Sequence, residues 1–163
     1  MTLDLAAAKR SCRVVNDTHD EEIDRYLKAA VQWVEDYTRK PLEPTEVTAR
    51  FDAFTDRMVL YYEPVISIDE IAYTDTGGLT ATLPTATFFE QYMLAPEGGW
   101  PAIQSNSIIT VKYTAGLVDR ADKLEAAVLA LTADYFNNNG GMSPDGERAV
   151  RALCKTYRPT TLA

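Results

Sequence analysis

The sequence predicts an α+β fold: a small helical bundle of about four helices with an inserted antiparallel β-sheet subdomain, all within one domain over residues 1–163. Three observations predict it. Between Thr18 and Leu42 the apolar residues Ile23, Leu27, Ala30, Val34 and Tyr37 alternate spacings of four and three, which sets them along one side of a helix. After Pro41 and Pro44 the texture changes to short runs rich in β-branched and aromatic residues, the composition of strands. From Asp122 the helical period returns. Residues 44–117 are therefore read as a β-rich insertion and 143–163 as a carboxyl-terminal helix or arm.

Taken in order, Thr2 is placed to cap a first helix over Leu3 to Arg13, with Lys9, Arg10 and Arg13 near its negative end. Thr18 and Glu21 have the spacing of a capping box for the second helix, and Asp17, Asp20, Glu21, Glu22 and Asp24 suit the positive end of its dipole. Pro41 cannot continue the hydrogen-bond ladder, so this helix is expected to end near Thr38, at a length of about 28 Å. Strands are expected over Val47–Phe54, Met58–Tyr62, Val65–Tyr73, Thr80–Leu83, Phe88–Leu94 and Ser107–Tyr113, with a hairpin turn at Thr74-Asp75-Thr76-Gly77-Gly78. The imperfect alternation around Ile66 and Ile68 is read as a strand with one wet face, and Trp100 as the cover of a sheet edge or of a neighbouring subunit. A third helix over Asp122–Asn138 carries two apolar lines, Leu124, Val128, Leu131, Tyr135 and Leu129, Ala133, Phe136, so it is expected to be buried on more than one face. Ser143-Pro144 reads as the N-cap and first turn of a last helix. On that helix Arg148, Arg151, Lys155 and Arg158 fall in one stripe opposite Val150, Leu153, Cys154 and Tyr157.

The formal net charge is −8, and the segment from Asp145 onward holds four basic and two acidic side chains, so the body and the tail are oppositely charged. A chain this acidic does not grip nucleic acid through phosphates, because that affinity rests on Lys and Arg displacing counterions. Apolar content of 46% and charged content of 25% are those of an ordinary globular chain. No apolar run is long enough for a membrane span and the amino terminus lacks the build of a signal peptide, so a cytoplasmic site of synthesis is expected.

Chemistry has no visible carrier. His19 is the sole histidine and lies in an acidic helix entry; Cys12 and Cys154 have no metal-ligand spacing. There is no phosphate-cradling glycine loop, no nucleophile elbow and no zinc-protease pair. The acidic residues from Asp17 to Asp24 lack the glycine and closing glutamate of a calcium loop. Catalytic residues, metal ligands and cofactors are accordingly assigned to none of the positions.

The succession of segments resembles the head-tail connector, or adaptor, proteins of tailed bacteriophages, in the longer form with a β-rich insertion that also occurs in prophages and gene transfer agents. The residues that carry it are Asp20 to Leu42, the run Pro64-Val65-Ile66-Ser67-Ile68-Asp69-Glu70-Ile71-Ala72-Tyr73, Trp100-Pro101 leading to Ile109-Thr110-Val111-Lys112-Tyr113-Thr114-Ala115-Gly116, and the helix from Leu124 to Asn138. It covers nearly the whole chain in order. It departs at Asn137-Asn138-Asn139-Gly140-Gly141, where a charged finish to the third helix belongs. The resemblance implies a structural, non-enzymatic virion protein of the neck. Copies would form a ring, dodecameric in the particle, docked on the portal protein, with a downstream neck or tail protein below and DNA passing through without specific binding.

Within that frame Arg148, Arg151, Lys155 and Arg158 are the candidate portal or subunit contacts, and Leu129, Phe136 and Trp33 the candidate inter-subunit helix faces. Two other readings stand beside it. One is a different neck component, a stopper or tail-completion protein. The other is a small-molecule-binding or enzymatic domain assembled from Tyr73, Asp75, Asp119 and Asp134, which requires a pocket converging on a perturbed carboxylate.

Overall fold

The computed structural model describes residues 3–55, 57–83, 93–94, 99–119 and 121–158. The chain forms two compact units, one of Met1–Leu42 with Asp119–Ala163 and one of Glu43–Val118. The first is helical: α1 (Leu5–Cys12), α2 (Asp20–Thr38), α3 (Asp122–Asn137) and α4 (Pro144–Cys154). The second holds β1 (Thr45–Phe51), β2 (Arg57–Met58), β3 (Val65–Thr74), β4 (Thr80–Leu83), β5 (Met93–Leu94) and β6 (Ile109–Ala115). This is the expected α+β class, a four-helix bundle and an antiparallel sheet.

In the helical unit the core is the stripe of α2 laid against α3. Ile23, Ala30 and Val34 have no exposed surface, nor do Leu124, Ala127, Val128 and Leu131. The fifth buried member of the α2 stripe is Thr38, in place of the expected Tyr37; its hydroxyl is satisfied by donating to the Val34 carbonyl at 2.7 Å, which lets a polar residue close the turn inside the core. The helix then stops as foreseen, with Arg39 in the left-handed region (φ 54°) and its N–H on the Glu35 carbonyl. The expected starts shift. Helix α1 begins at Leu5 and is capped by Asp4, whose carboxylate accepts from the Ala7 N–H at 2.7 Å; Thr2 lies outside the described residues. No capping box forms at Thr18: α2 begins at Asp20, and the Thr18 N–H donates instead to Asn16 Oδ1 at 3.2 Å. Lys9 on α1 ties the entry down by pairing with both Asp17 (2.7 Å) and Asp20 (2.6 Å).

The β-rich unit is built on β6, whose alternate residues Ile109, Val111, Tyr113 and Ala115 are fully buried. The sheet order is β1-β6-β3-β4, with every described pair antiparallel. Strand β6 thus sits between two segments far from it in sequence. Two register shifts in β3, between Val65 and Ser67 and between Ile68 and Glu70, break its alternation. These bulges, rather than one wet face alone, explain the imperfect pattern of the sequence. The Asp75 carboxylate builds the hairpin turn by accepting from Gly77 N–H (2.8 Å) and Leu79 N–H (3.0 Å).

Strand boundaries move with these ladders. β1 starts at Thr45 and ends at Phe51, and β6 runs from Ile109 to Ala115 rather than ending at Tyr113. Of the expected strand Met58–Tyr62 only Met58 is in a ladder, as part of β2 (Arg57–Met58), because Leu60 turns into the core and the Tyr62 N–H goes to the Tyr113 hydroxyl at 3.2 Å. Of Phe88–Leu94, only Met93–Leu94 is described, as β5; Phe88–Tyr92 lie outside the described residues. Trp100 covers its own unit: its ring stacks on Phe54 at 4.3 Å, Phe54 meets Tyr73 edge-on at 5.7 Å, and the indole N–H donates to the Thr55 carbonyl at 2.8 Å. Gly116 is fixed by close approach, since at its φ of 141° a Cβ would lie 2.4 Å from the Glu43 carbonyl oxygen.

Candidate functional site

The corner between α3 and α4 aims the most directional charge of the chain. Asp134, near the end of α3, accepts from the Ser143 N–H (2.7 Å), the Ser143 hydroxyl (2.6 Å) and Asn138 Nδ2 (3.1 Å). Ser143 in turn caps α4 by accepting from the Gly146 N–H at 3.0 Å, with Pro144 in the first turn. Gly146 has no room for a side chain, since a Cβ there would stand 2.5 Å from the Asp134 carboxyl carbon. With its start pinned, α4 packs on α3 through the buried Val150 and Cys154. Burial pushes the Cys154 thiol up to about 11, so it is an inert core residue at neutral pH.

The opposite side of α4 carries the predicted stripe, and the structure brings all four of its members together with one residue of α2. Arg148, Arg151, Lys155 and Arg158 line an open cleft of about 490 Å³ with Ala152 and Tyr37. Tyr37 is the floor. Its ring lies parallel to that of Trp33, 7° apart in plane and 5.0 Å between centres. The guanidinium carbons of Arg151 and Arg158 each stand 5.2 Å from the Tyr37 ring centre, within cation–π range. Two carboxylates of α4 temper the charge: Asp145 pairs with Arg148 at 3.2 Å, and Glu147 with Arg151 at 2.7 Å. The hydrogen bond that Arg151 donates to Glu147 raises the Arg151 pKa further above its already high value. These are exposed pairs of small energetic worth, and they leave a net basic surface.

An aromatic floor with guanidinium forks held over it is suited to carboxylate or phosphate oxygens, because stacking limits the motion of the planar fork while its N–H edge still points outward to donate. The participation of Tyr37 and Trp33 was not read from the sequence, where Tyr37 was placed in the core stripe. Their i,i+4 spacing gave the stack, but nothing in the linear pattern showed that α4 lies over it.

The other nominated residues fall elsewhere. Leu129 is 6% exposed; its carbonyl accepts from the Ser11 hydroxyl of α1 at 2.9 Å. It forms part of an open groove of about 550 Å³ with Ser11, Asp122, Glu125, Ala126 and Ala130, in which Ala126 and Ala130 are the exposed apolar members. Phe136 is half-buried and meets His19 edge-on at 5.4 Å, which gives that histidine a packing role. Trp33 is half-buried in the stack just described. Two of the three carboxylates named for an enzymatic reading hold structure, Asp75 in its turn and Asp134 in its helix corner, and the third, Asp119, is exposed. Among the described residues no three His, Cys, Asp or Glu side chains gather as a metal site, and no helix is long and apolar enough to cross a membrane.

Residues 2–75 match the family described as Phage gp6-like head-tail connector protein. No curated protein matches the chain in sequence. Among solved structures the chain is similar to a protein in the neck of an empty gene transfer agent particle computed with C6 symmetry, at a TM-score of 0.80 and 20% identity over 98% of this chain and 90% of that one. It is also similar to a chain of the virion of a native gene transfer agent particle (TM-score 0.76, 21% identity, 98% and 90% covered). A third is in the neck of the native particle computed with C12 symmetry (0.73, 21%, 100% and 94%). At these identities the structures show a shared fold, including the β-rich unit beyond the family match. Over residues 2–75 the chain is thus similar to the phage head-tail connector proteins, and over nearly its whole length it has the fold of proteins in gene transfer agent necks.

Proposed function

We propose that this chain is a structural neck protein, an adaptor whose copies form a ring beneath the portal of a phage-like particle and join the DNA-filled head to the tail. The observation that carries the reading is the head-tail connector family match joined to a fold shared, over nearly the whole chain, with proteins of particle necks solved with C6 and C12 symmetry. It acts by binding rather than by catalysis: of the carboxylates that an enzymatic reading would use, Asp75 is engaged in a turn and Asp134 in a helix corner. The ring is dodecameric in the particle, the downstream partner is the next neck or tail protein, and DNA passes through without specific binding, in keeping with a net charge of −8. The basic cleft of α4 is the surface for acidic protein, on the portal or on the neighbouring subunit.

The test is assembly. Particles lacking this chain should accumulate as filled heads without tails, and adding back the purified protein should restore joined particles seen by electron microscopy. Joined particles formed in its absence refute the adaptor role.

A further inference from the structure

A ring closed head to tail needs two different, complementary patches on each copy. The charge of this chain is divided in a way that supplies them. Between Glu43 and Val118 ten Asp and Glu face three Lys and Arg, a net −7 that accounts for nearly all of the chain's −8. The helical unit is close to neutral, with 13 Lys and Arg against 14 Asp and Glu, and four of those cations are gathered in the cleft of Arg148, Arg151, Lys155 and Arg158 over Tyr37. In the β-rich unit Glu43, Glu46 and Asp69 are exposed, at the end of the sheet where β1 begins. Glu46 faces Thr114 in the ladder, and the Thr114 hydroxyl donates to Asp69 at 3.0 Å, so two carboxylates flank one threonine. Among the described residues β1 is the edge strand of its sheet.

We propose that the basic cleft of one copy receives the acidic sheet end of a second copy, with Lys155 and Arg158 opposite Glu43, Glu46 and Asp69 of the next subunit. This contact rests on the ring reading and specifies how the ring closes. Carboxylate suits the cleft better than DNA phosphate: a body this acidic repels a polyanion, whereas a second copy presents its carboxylates a few at a time. Lys155 and Arg158 are the members without a carboxylate one turn away on α4, whereas Arg148 and Arg151 each have one, in Asp145 and Glu147. The cleft's two later cations are thus the ones placed to take a partner's carboxylates. A contact of this kind is screened by salt, with a reach of about 8 Å at physiological ionic strength.

The experiment uses two charge-reversed full chains. One carries Lys155→Glu with Arg158→Glu, the other Glu43→Lys with Glu46→Lys, and each is checked for native circular dichroism and an unchanged unfolding midpoint. Self-association is followed by sedimentation velocity from micromolar to near-millimolar concentration. Expected is salt-sensitive association of the wild type, weakened about tenfold or more by either reversal alone. Mixing the two variants should restore association, because each keeps one native patch for the other. Wild-type association unaffected by either reversal leaves the connector reading standing and removes this contact. Rescue only when both reversals lie in one chain, without rescue on mixing, places the pairing within a copy and overturns the proposal. A wild type that stays monomeric throughout the range overturns it as well. So does loss of duplex-DNA binding as the sole effect of reversing the cleft, which would assign the cleft to phosphate.

Discussion

Replacing Gly146 with Ala should destabilise the helical unit, the opposite of what glycine-to-alanine exchange does in an ordinary helix. Alanine is favoured over glycine in helices by up to about 1 kcal/mol. Here the new methyl would stand 2.5 Å from the Asp134 carboxyl carbon and one of its oxygens, and 2.7 Å from the other. The carboxylate cannot yield without stretching its bonds to the Ser143 N–H and hydroxyl, now 2.7 and 2.6 Å, and hydrogen bonds to a charged group contribute about 1.5–3 kcal/mol each. Losing the equivalent of one or two such bonds, about 3 kcal/mol, against a gain of about 1, leaves a net destabilisation of about 2 kcal/mol. The sign should reverse in an Asp134→Ala background, where the methyl has room: Gly146→Ala then stabilises by up to about 1 kcal/mol, a coupling of about 3 kcal/mol across the cycle. Trp33 and Trp100 are the two tryptophans and sit in different units, so urea unfolding followed by fluorescence in a Trp100→Phe chain reports the helical unit alone. Stabilisation by Gly146→Ala in the native background, or additivity of the two changes, would refute the steric account of this corner.

Other consequences are as direct. Gly116→Ala meets the Glu43 carbonyl at 2.4 Å and a φ of 141° that side chains avoid, so the β-rich unit should lose about 3 kcal/mol or more, read from Trp100 fluorescence in a Trp33→Phe chain. The Cys154 thiol holds its proton up to about 11 in the folded chain against an ordinary value of 9.0. The folded state therefore binds more protons than the unfolded one between these values, and stability is full below pH 9 and falls as pH rises towards 11, by at most about 2–3 kcal/mol. Cys154→Ala should flatten that part of the profile in denaturant titrations at stepped pH, apart from the smaller contribution of Cys12, whose thiol burial also raises.

Some of the fold was legible because its causes are local. The buried stripe of α2, the stop after Thr38, the Ser143 cap and the Asp75 turn each follow from residues within a few positions of one another, where propensity and hydrogen-bond geometry act without help. What failed to read was set at a distance. The Thr18 cap lost to Asn16 because α1 holds the entry through Lys9, and β2 was cut short because Leu60 and Tyr62 serve the core and Tyr113 instead of a ladder. The four basic residues of the candidate site were found from the wheel of one helix, while their aromatic floor on α2 lay more than a hundred residues away.

The amino-acid sequence by itself determined where the four helices lie and where the chain turns from helix to sheet and back, where the apolar stripes run, and that a basic stripe ends an otherwise acidic chain, because each depends on the order of neighbouring residues and on the period of the backbone. Tertiary structure decided that β6 is the centre of its sheet, that Asp134 and Gly146 lock the last corner, and that Tyr37 lies beneath two arginines. Those are facts of packing, in which residues remote in sequence compete for the same space, and a linear pattern carries no record of which competitor wins.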